Sequence, residues 1–279
     1  MCFGEQHEKE NSVCDTFLAW TLFCHNIVRC LLIRLRRYLY MYDLSLIIAC
    51  YNEKKLLRES VTRITSVLND SVFSYELIFV DDKSSDGTRE IIASLVKKNS
   101  DFKAIYHDVN QGRGKTVRDG MAAAKGNVVG FIDIDLEVSP VYIPSFVRMI
   151  VGGKADVVTG LRVYREGLSS LHRAILSRGY SRLVRSILGI LLRDTETGYK
   201  FFNRKKILPI LKKTKNNGWF WDTEVMTYAH YGSLSVKEVP VLFIRRFDKM
   251  SSVRLVHDTL EYVKNLVGFY KQLVGQGYL

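Results

Sequence analysis

The stretch Leu44-Ser45-Leu46-Ile47-Ile48-Ala49-Cys50 is a short apolar run, typical of a strand that is buried on both faces. Apolar residues at helical spacing follow it, at Leu57, Val61, Ile64 and Leu68. The alternation continues along the chain, with further strands predicted at 76–80, 104–106 and 127–132 and helices around 91–96 and 113–124. This alternation predicts an α/β fold, with a mostly parallel sheet covered by helices.

Polar clusters directly follow three of these predicted strands. They are Tyr51-Asn52-Glu53, Asp81-Asp82 and Asp133-Ile134-Asp135. In sheets of this kind, ligands bind beyond the carboxyl ends of the strands. We therefore expect the three clusters to line one pocket.

The segment Asp133-Ile134-Asp135-Leu136-Glu137 is the sharpest chemical signal in the chain. In an extended segment, residues two and four apart point the same way, so the three carboxylates are expected to face one site. Carboxylate oxygens suit Mg²⁺ or Mn²⁺ bridging phosphates better than they suit zinc. The alternative interpretation is a solvated acidic turn after a strand.

The turn-rich segment 81–88 carries a second group of acids. A carboxylate at a strand end can accept the ring N–H of uracil or guanine, which makes Asp81 or Asp82 a candidate base contact. Asp86 is better placed to cap the helix that starts near Thr88. Turn chemistry alone also explains these residues.

The segment 110–116 contains Gly114-Lys115-Thr116, which matches the end of a phosphate-binding P-loop. That motif requires a glycine five residues before Gly114, where Val109 stands, so the match fails. The glycines still allow the backbone to approach a pyrophosphate closely. Candidates to neutralise that pyrophosphate are Arg113, Lys115 and Arg118.

The distribution of positive charge points to a membrane surface. The 279 residues carry a formal net charge of +12, and two stretches rich in arginine and aliphatic residues, Thr16 to Tyr42 and Leu168 to Arg193, contain no acid. Both predict basic amphipathic helices that lie on a membrane, and neither is apolar enough to span it. Packing on the protein, with the arginines in water, is the alternative. Nucleic acid is not an expected partner, because the residues interleaved with the arginines are mostly aliphatic and not base-stacking.

The organisation predicted from these patterns is an N-terminal extension, residues 1–42, followed by one domain, residues 43–279. The domain includes the basic helix at about 168–193, a strand near 235–244 and a C-terminal helix from about 251. Five cysteines without CxxC spacing favour reduced thiols, and the polar, acidic start is not a signal peptide. We therefore expect a peripheral protein on the cytoplasmic face of a membrane.

Six motifs, in this order, resemble the family 2 glycosyltransferases of the GT-A fold. The resemblance is greatest to the branch with dolichyl-phosphate mannose and glucose synthases and bacterial polyprenyl-phosphate sugar transferases. The motifs are Ser45–Glu53, Val80–Thr88, Asn110–Gly120, Asp133–Glu137, Asp194–Lys200 and Arg245–Arg254. They span nearly all of the chain beyond the extension, and they imply a nucleotide-sugar-binding sheet with helices on both faces.

The resemblance also implies roles for individual residues. Nucleotide-binding positions are Ala49, Tyr51, Glu53, Asp81, Asp82, Gly112, Lys115, Arg118 and Ile134. Ligands to Mg²⁺ or Mn²⁺ are Asp133, Asp135 and Glu137, and catalytic positions are Asp133, Asp135, Arg245, Ser252 and Arg254.

The sequence departs from the family pattern in two ways. A lysine often follows the serine of the last motif in this family, whereas here Arg254 lies two positions beyond Ser252. In addition, no C-terminal membrane span is expected, unlike in many bacterial members.

The function implied is transfer, with inversion, of a sugar from a UDP- or GDP-sugar to a polyprenyl or dolichyl phosphate. Such a phosphate, with a second pKa of about 6, is ionised near neutral pH and needs no general base. A saccharide hydroxyl acceptor would need one, and the obvious candidates are Asp222 and Glu224. Further alternatives are a nucleotidyltransferase that makes nucleotide sugars and an inactive nucleotide-sugar-binding protein of the membrane surface.

Overall fold

The computed structural model describes residues 41–164, 182–246 and 255–279, with side chains from Leu260 onward in the last range. The strands are β1 Tyr42–Cys50, β2 Tyr75–Asp81, β3 Phe102–Tyr106, β4 Gly126–Ile132, β5 Val157–Tyr164, β6 Tyr199–Asn203 and β7 Val236–Phe243. The helices are α1 Leu57–Asn69, α2 Thr88–Lys98, α3 Arg113–Ala123, α4 Ile143–Val151, α5 Arg204–Leu211, α6 Trp221–Tyr231 and α7 Leu255–Gly275. A 3₁₀ turn, Pro140–Tyr142, precedes α4, and residues 182–188 are also helical.

These strands form a single sheet in the order β3-β2-β1-β4-β6-β5-β7. The pairs β1–β2, β1–β4, β2–β3 and β5–β7 are parallel, whereas β6 is antiparallel to both β4 and β5. The predicted α/β fold with a mostly parallel sheet is therefore confirmed. The carboxyl ends of β1, β2 and β4 lie side by side, which brings the three predicted polar clusters to one edge.

Apolar residues cover both faces of the sheet, as the continuous apolar runs of its central strands require. In β1, Leu46 and Ile48 belong to one core cluster, with the buried residues of α1 and α4, whereas Ile47 belongs to the other, with α3, α5, α6 and α7. The predicted helical face Leu57, Val61, Ile64 and Leu68 is buried in α1. The sheet is thus a buried central layer that holds its strand ends in fixed positions.

Several predicted features fall outside the described residues. These are the N-terminal extension up to residue 40, the part of the predicted basic helix at 168–181, and residues 247–254, which include Ser252 and Arg254. β1 starts at Tyr42, which the prediction had assigned to the extension. Among the helices that the structure describes, none combines the length and the apolarity needed to cross a membrane.

Candidate active site

Two loops, after β1 and after β2, form one rim of the site. The N–H of Asn52 donates to Ser84 Oγ at 2.9 Å, and Asn52 Oδ1 accepts from the N–H of Ser85 at 2.9 Å. The N–H of Glu53 donates to Thr88 Oγ1 at 2.8 Å. Tyr51, just before these contacts, is half exposed. The loops are therefore cross-braced, and Tyr51 presents a ring at their edge.

Asp86 holds the β2 loop in place, as the sequence predicts. Its Oδ1 accepts from the N–H of Thr88 at 3.0 Å, and its Oδ2 accepts from the N–H of Lys54 at 3.0 Å. Partial burial acts to raise the pKa of Asp86, but the hydrogen bonds from Thr88 and Lys54 outweigh it and lower the pKa. Asp86 is therefore an ionised structural acid.

The neighbouring acids Asp81 and Asp82 have different environments. Asp82 accepts from the N–H groups of Gln111 and Gly112, both at 2.8 Å, and lies 2.7 Å from His107 Nδ1. Both of its oxygens thus hold the loop before α3. Asp81 is fully buried; its Oδ2 accepts from Arg89 Nε at 2.8 Å, but its Oδ1 has no hydrogen-bond partner among the described residues. The unsatisfied acceptor at this rim therefore belongs to Asp81.

The segment that resembles a P-loop packs against the chain itself. Gly112 has φ +93°, and a Cβ there would lie 2.6 Å from the carbonyl oxygen of Asn217. Arg118 donates to Asn217 Oδ1 at 2.7 Å and to the carbonyl of Thr214 at 2.9 Å. Lys115 pairs with Asp119, one turn further along α3. The space that a side chain would take is occupied by Asn217 at Gly112 and by Trp221 and Gly218 at Gly114. Contact of Gly112, Lys115 and Arg118 with a pyrophosphate stays a prediction.

The segment after β4 is a turn and not the extended stretch assumed from its sequence. The N–H of Leu136 donates to the carbonyl of Asp133 at 3.2 Å, and Leu136 has φ +53°, in the left-handed region. Ile134 is buried in the core, so only its backbone can reach a ligand. The expectation that strand alternation aligns three carboxylates is therefore wrong.

Gly198 supports the carboxylate of Asp133. The N–H of Asp133 donates to the carbonyl of Gly198 at 3.0 Å, and a Cβ on Gly198 would overlap the Asp133 carboxylate. The Asp133 side chain is 46% exposed, and its Oδ1 accepts from Arg113 Nη2 at 2.7 Å. A glycine is required at position 198 because the carboxylate lies directly over its backbone.

Asp135 and Glu137 diverge within the same turn. Asp135 Oδ1 accepts from the N–H of Glu137 at 3.3 Å, whereas Glu137 Oε1 accepts from the N–H of Arg246 at 3.0 Å. In the described ranges, no three His, Cys, Asp or Glu side chains are grouped so as to hold a metal ion. Glu137 therefore anchors the segment after β7, which brings the exposed Arg245 beside the turn.

A charged network joins this turn to the interior. Arg113 pairs with Asp133 and also with Asp222 at the start of α6. Lys200, fully buried in β6, donates to Asp222 Oδ1 at 2.6 Å and to the carbonyl of Thr197. Burial lowers the pKa of Lys200 despite the favourable Asp222 charge, and the two carboxylates raise the pKa of Arg113 against the effect of burial. The network fixes Arg113 against the predicted metal-binding turn.

The carboxylate of Glu224, the other predicted general base, is also hydrogen-bonded within the protein. Its two carboxylate oxygens accept from the N–H groups of Lys215 and Asn216 at 2.9–3.0 Å. Burial raises the pKa of Glu224, and these hydrogen bonds counteract it only in part. The side chain therefore holds the 214–218 loop, as an acid near a helix start commonly does.

A third acid, Glu196, was not identified as a site residue from the sequence. Its neighbour Asp194 is paired bidentately with Arg162, at 2.7 and 2.9 Å, whereas the Glu196 carboxylate makes no hydrogen bond with the described residues. Burial raises the pKa of Glu196 to about 7, and the charges of Asp194 and Asp222 add to that effect. This raised pKa suits the Glu196 carboxyl group to the exchange of a proton near neutral pH.

Lys200 and Arg162 were likewise not identified as site residues from the sequence. Each is a single charge within a strand of otherwise uncharged, mostly apolar residues, in Tyr199–Asn203 and Val157–Tyr164. A charge in a buried strand requires a partner. The lone lysine and the lone arginine in these strands were therefore the available sequence signal for buried ion pairs.

Known proteins share both sequence and fold with this chain. The glycosyltransferase AglD of Haloferax volcanii is 28% identical over 236 residues, 83% of this chain and 37% of the relative. The dolichyl-phosphate beta-glucosyltransferase of Saccharomyces cerevisiae is 28% identical, with 80% of this chain and 73% of the relative covered. For the dolichyl-phosphate beta-glucosyltransferase ALG5A of Trichomonas vaginalis the identity is 27%, with 71% and 64% covered. The chain thus spans little more than a third of AglD and under two thirds of ALG5A.

Solved structures of glucosyl-3-phosphoglycerate synthase from Mycobacterium tuberculosis share the fold. The complex with Mn²⁺, UDP-glucose and phosphoglyceric acid superposes with a TM-score of 0.62 at 20% identity, with 82% of this chain and 80% of that chain covered. The complex with Mg²⁺ and UDP gives 0.61 at 20% identity, with 81% and 79% covered. Residues 45–210, more than half of this chain, match the family described as glycosyl transferase family 2, and the chain belongs to that family.

Proposed function

We propose that this family 2 glycosyltransferase moves a sugar, with inversion, from a UDP- or GDP-sugar to a polyprenyl or dolichyl phosphate. The two relatives named dolichyl-phosphate beta-glucosyltransferases support a lipid phosphate as the acceptor. Such an acceptor requires the site to work at a membrane surface. The two basic stretches, which carry arginines and no acid, favour the cytoplasmic, anionic leaflet.

The observation that carries this proposal is the state of the two predicted general bases. Asp222 is neutralised by Lys200 and Arg113, and Glu224 is occupied by two backbone N–H groups. Each would have to give up these contacts to deprotonate a sugar hydroxyl. A lipid phosphate needs no such group, because it is already ionised near neutral pH.

The nucleoside would lie on the rim formed by the β1 and β2 loops. Asp81 Oδ1, a buried acceptor without a partner, would take the ring N–H of uracil or guanine. Because that oxygen is buried, the groups that enclose it must move aside when the base binds. Tyr51 would then cover the base or ribose with its exposed ring.

Asp133 and Asp135 would hold Mg²⁺ or Mn²⁺. The fit rests on the half-exposed Asp133 carboxylate, seated on the bare backbone of Gly198, and on hard oxygen donors of the kind these ions prefer. The bound ion would neutralise the diphosphate that leaves with the nucleoside. Because Glu137 Oε1 already accepts from the N–H of Arg246, the diphosphate would supply further ligands to the ion. Arg113 and Arg245, beside the turn, would stabilise the same leaving group.

Glu196 supports a second candidate, transfer to a saccharide hydroxyl. A carboxyl group with a pKa of about 7 can accept the proton that a hydroxyl nucleophile loses. Replacement by glutamine separates the two candidates. Under the lipid-phosphate proposal Glu196→Gln keeps most of the transfer activity, whereas a hydroxyl acceptor makes the loss nearly complete while donor binding persists.

The decisive experiment supplies radiolabelled UDP-glucose or GDP-mannose and a short polyprenyl phosphate in detergent, with Mn²⁺ or with EDTA. We expect organic-extractable label from one donor, lost with EDTA and in Asp135→Ala. Absence of lipid-linked label from both donors, in a chain that still binds a nucleoside diphosphate with metal, would overturn the proposed acceptor. Release of pyrophosphate would instead indicate a nucleotidyltransferase.

A further inference from the structure

The C-terminal helix α7 has an apolar stripe on its outer face. Its members are 41–67% exposed and recur at alternating intervals of three and four residues, at Leu260, Val263, Val267, Tyr270 and Val274. That spacing places them along one line of the helix. The inner face is separate: Leu266, Phe269 and Leu273 are buried in the core. Within the described ranges, the stripe is therefore additional to the face of α7 that packs in the core.

Positive charge borders this stripe on the side away from the core. Lys264 and Lys271 are both exposed, and each lies three or four residues from two stripe members. Glu261, the acid within the described side chains of α7, lies farther round the helix from the stripe than the lysines do. Beyond the helix end, the exposed Lys213 donates to Tyr278 Oη at 2.9 Å. An apolar line with a cationic border matches an anionic lipid surface.

A rigid contact connects α7 to the candidate active site. Tyr262 is hydrogen-bonded through its hydroxyl to Thr223 Oγ1, which lies 2.9 Å from Thr195 Oγ1, between Asp194 and Glu196. The Tyr262 ring also packs edge-on against Phe220, with 4.8 Å between centroids. A surface that holds α7 would therefore hold the site at a fixed height above it.

We propose that the outer face of α7 docks on an anionic lipid bilayer, with the stripe in the acyl-headgroup boundary and the lysines among the headgroups. This inference rests on the proposed function, which places the acceptor in a membrane. Tyr270 suits that boundary, because its ring is apolar and its hydroxyl can stay hydrated. A second copy of the chain in antiparallel pairing fits less well, because the lysine borders of the two α7 stripes would lie against each other and repel.

Vesicle binding of the full chain tests this surface. The probe is phosphatidylcholine vesicles with and without phosphatidylserine, and the variant is Val263→Glu with Val267→Glu. Val72→Glu is the matched control, because Val72 is 78% exposed on the loop before β2. We expect the double variant to lose binding to anionic vesicles by about tenfold or more, since two apolar contacts are replaced by anions, and the control to bind as wild type.

Other outcomes overturn the inference in distinguishable ways. Unchanged vesicle binding by the double variant would show that another surface docks. A wild-type dimer that the double variant converts to monomer without vesicles would identify the stripe as a protein interface. Transfer to a short acceptor in detergent should be equal in all three proteins, with loss confined to long-chain acceptor in vesicles. If no protein transfers sugar to any lipid phosphate, the proposed function fails, whatever the vesicles show.

Discussion

Glu196 is a partly buried acid without a hydrogen-bonding partner among the described residues, and its raised pKa gives the stability of the protein a specific pH dependence. Its pKa is about 7 in the folded protein and about 4.5 when solvated. Between these values the folded state binds more protons than the unfolded state, so the free energy of unfolding decreases as the pH rises. Below pH 4.5 Glu196 does not reduce the free energy of unfolding, and above pH 7 the reduction is fully present.

We therefore predict that Glu196→Gln stabilises the protein at pH 8 and not at pH 4.5. The expected gain is about 1–3 kcal/mol in the free energy of unfolding, measured by urea denaturation at the two pH values. Glu59→Gln, an exposed carboxylate on α1, serves as the control and should shift neither curve. A gain that is equal at both pH values would show that Glu196 is not protonated in the folded state at low pH.

Because Gly198 has no side chain, the Asp133 carboxylate can lie directly over its backbone. We predict that Gly198→Ala displaces the Asp133 carboxylate, because the added Cβ would occupy its position. Mn²⁺-dependent binding of a nucleoside diphosphate, followed by titration calorimetry, should weaken at least about tenfold. Gly268→Ala is the matched control: nothing lies within 4 Å of that Cβ, and a helical alanine should stabilise α7 by up to about 1 kcal/mol. Unaltered Mn²⁺-dependent binding in Gly198→Ala would remove Asp133 from the metal site.

At the scale of elements, one buried ion pair ties β6 to α6. Lys200 and Asp222 are both almost fully buried. Removal of Asp222 leaves Lys200 without its ion-pair partner, and removal of Lys200 leaves Asp222 with Arg113 alone. We predict that Lys200→Met or Asp222→Asn lowers the free energy of unfolding by about 3–5 kcal/mol. The double variant should cost clearly less than the sum, with a coupling energy of about 1–3 kcal/mol.

The pair Lys206–Asp156 serves as the exposed comparison for the single and double variants of Lys200 and Asp222. Its N–O distance is similar, 2.7 Å, but the lysine side chain is 53% exposed. Lys206→Met should therefore cost less than about 1 kcal/mol. Equal costs for Lys200→Met and Lys206→Met would mean that water reaches the β6–α6 pair.

The elements of the sheet could be predicted because their pattern is local. Apolar runs and helical spacing gave β1, α1 and β4, and the polar residues that follow each strand marked the correct edge of the sheet. The roles of Asp81 and Asp82 could not be separated, since the distinction depends on which of them the loop at Gln111 and Gly112 contacts. The turn at Leu136 was missed because a leucine with positive φ has no sequence signal.

At the scale of the whole molecule, ligand binding and folding should be coupled through the sheet edge. The β1 loop, the β2 loop and the turn after β4 hold the proposed contacts, and each belongs to a different strand of one buried layer. A ligand that binds only when these strand ends are in place stabilises the entire fold. The stability of the protein therefore reports occupancy of the site without any assumption about the acceptor.

We predict that UDP or GDP with Mn²⁺ raises the melting temperature, by an amount equivalent to about 2.7 kcal/mol at a hundredfold excess over Kd. The nucleotide with the larger shift identifies the donor base. EDTA and Asp135→Ala should each remove the metal-dependent part, because both abolish the same ion site. If nucleotide still raises the melting temperature in EDTA, the binding is assigned to the rim at Asp81 alone. If neither nucleotide gives a shift with Mn²⁺, the unsatisfied Asp81 oxygen has some other ligand, and the nucleotide-sugar donor is wrong.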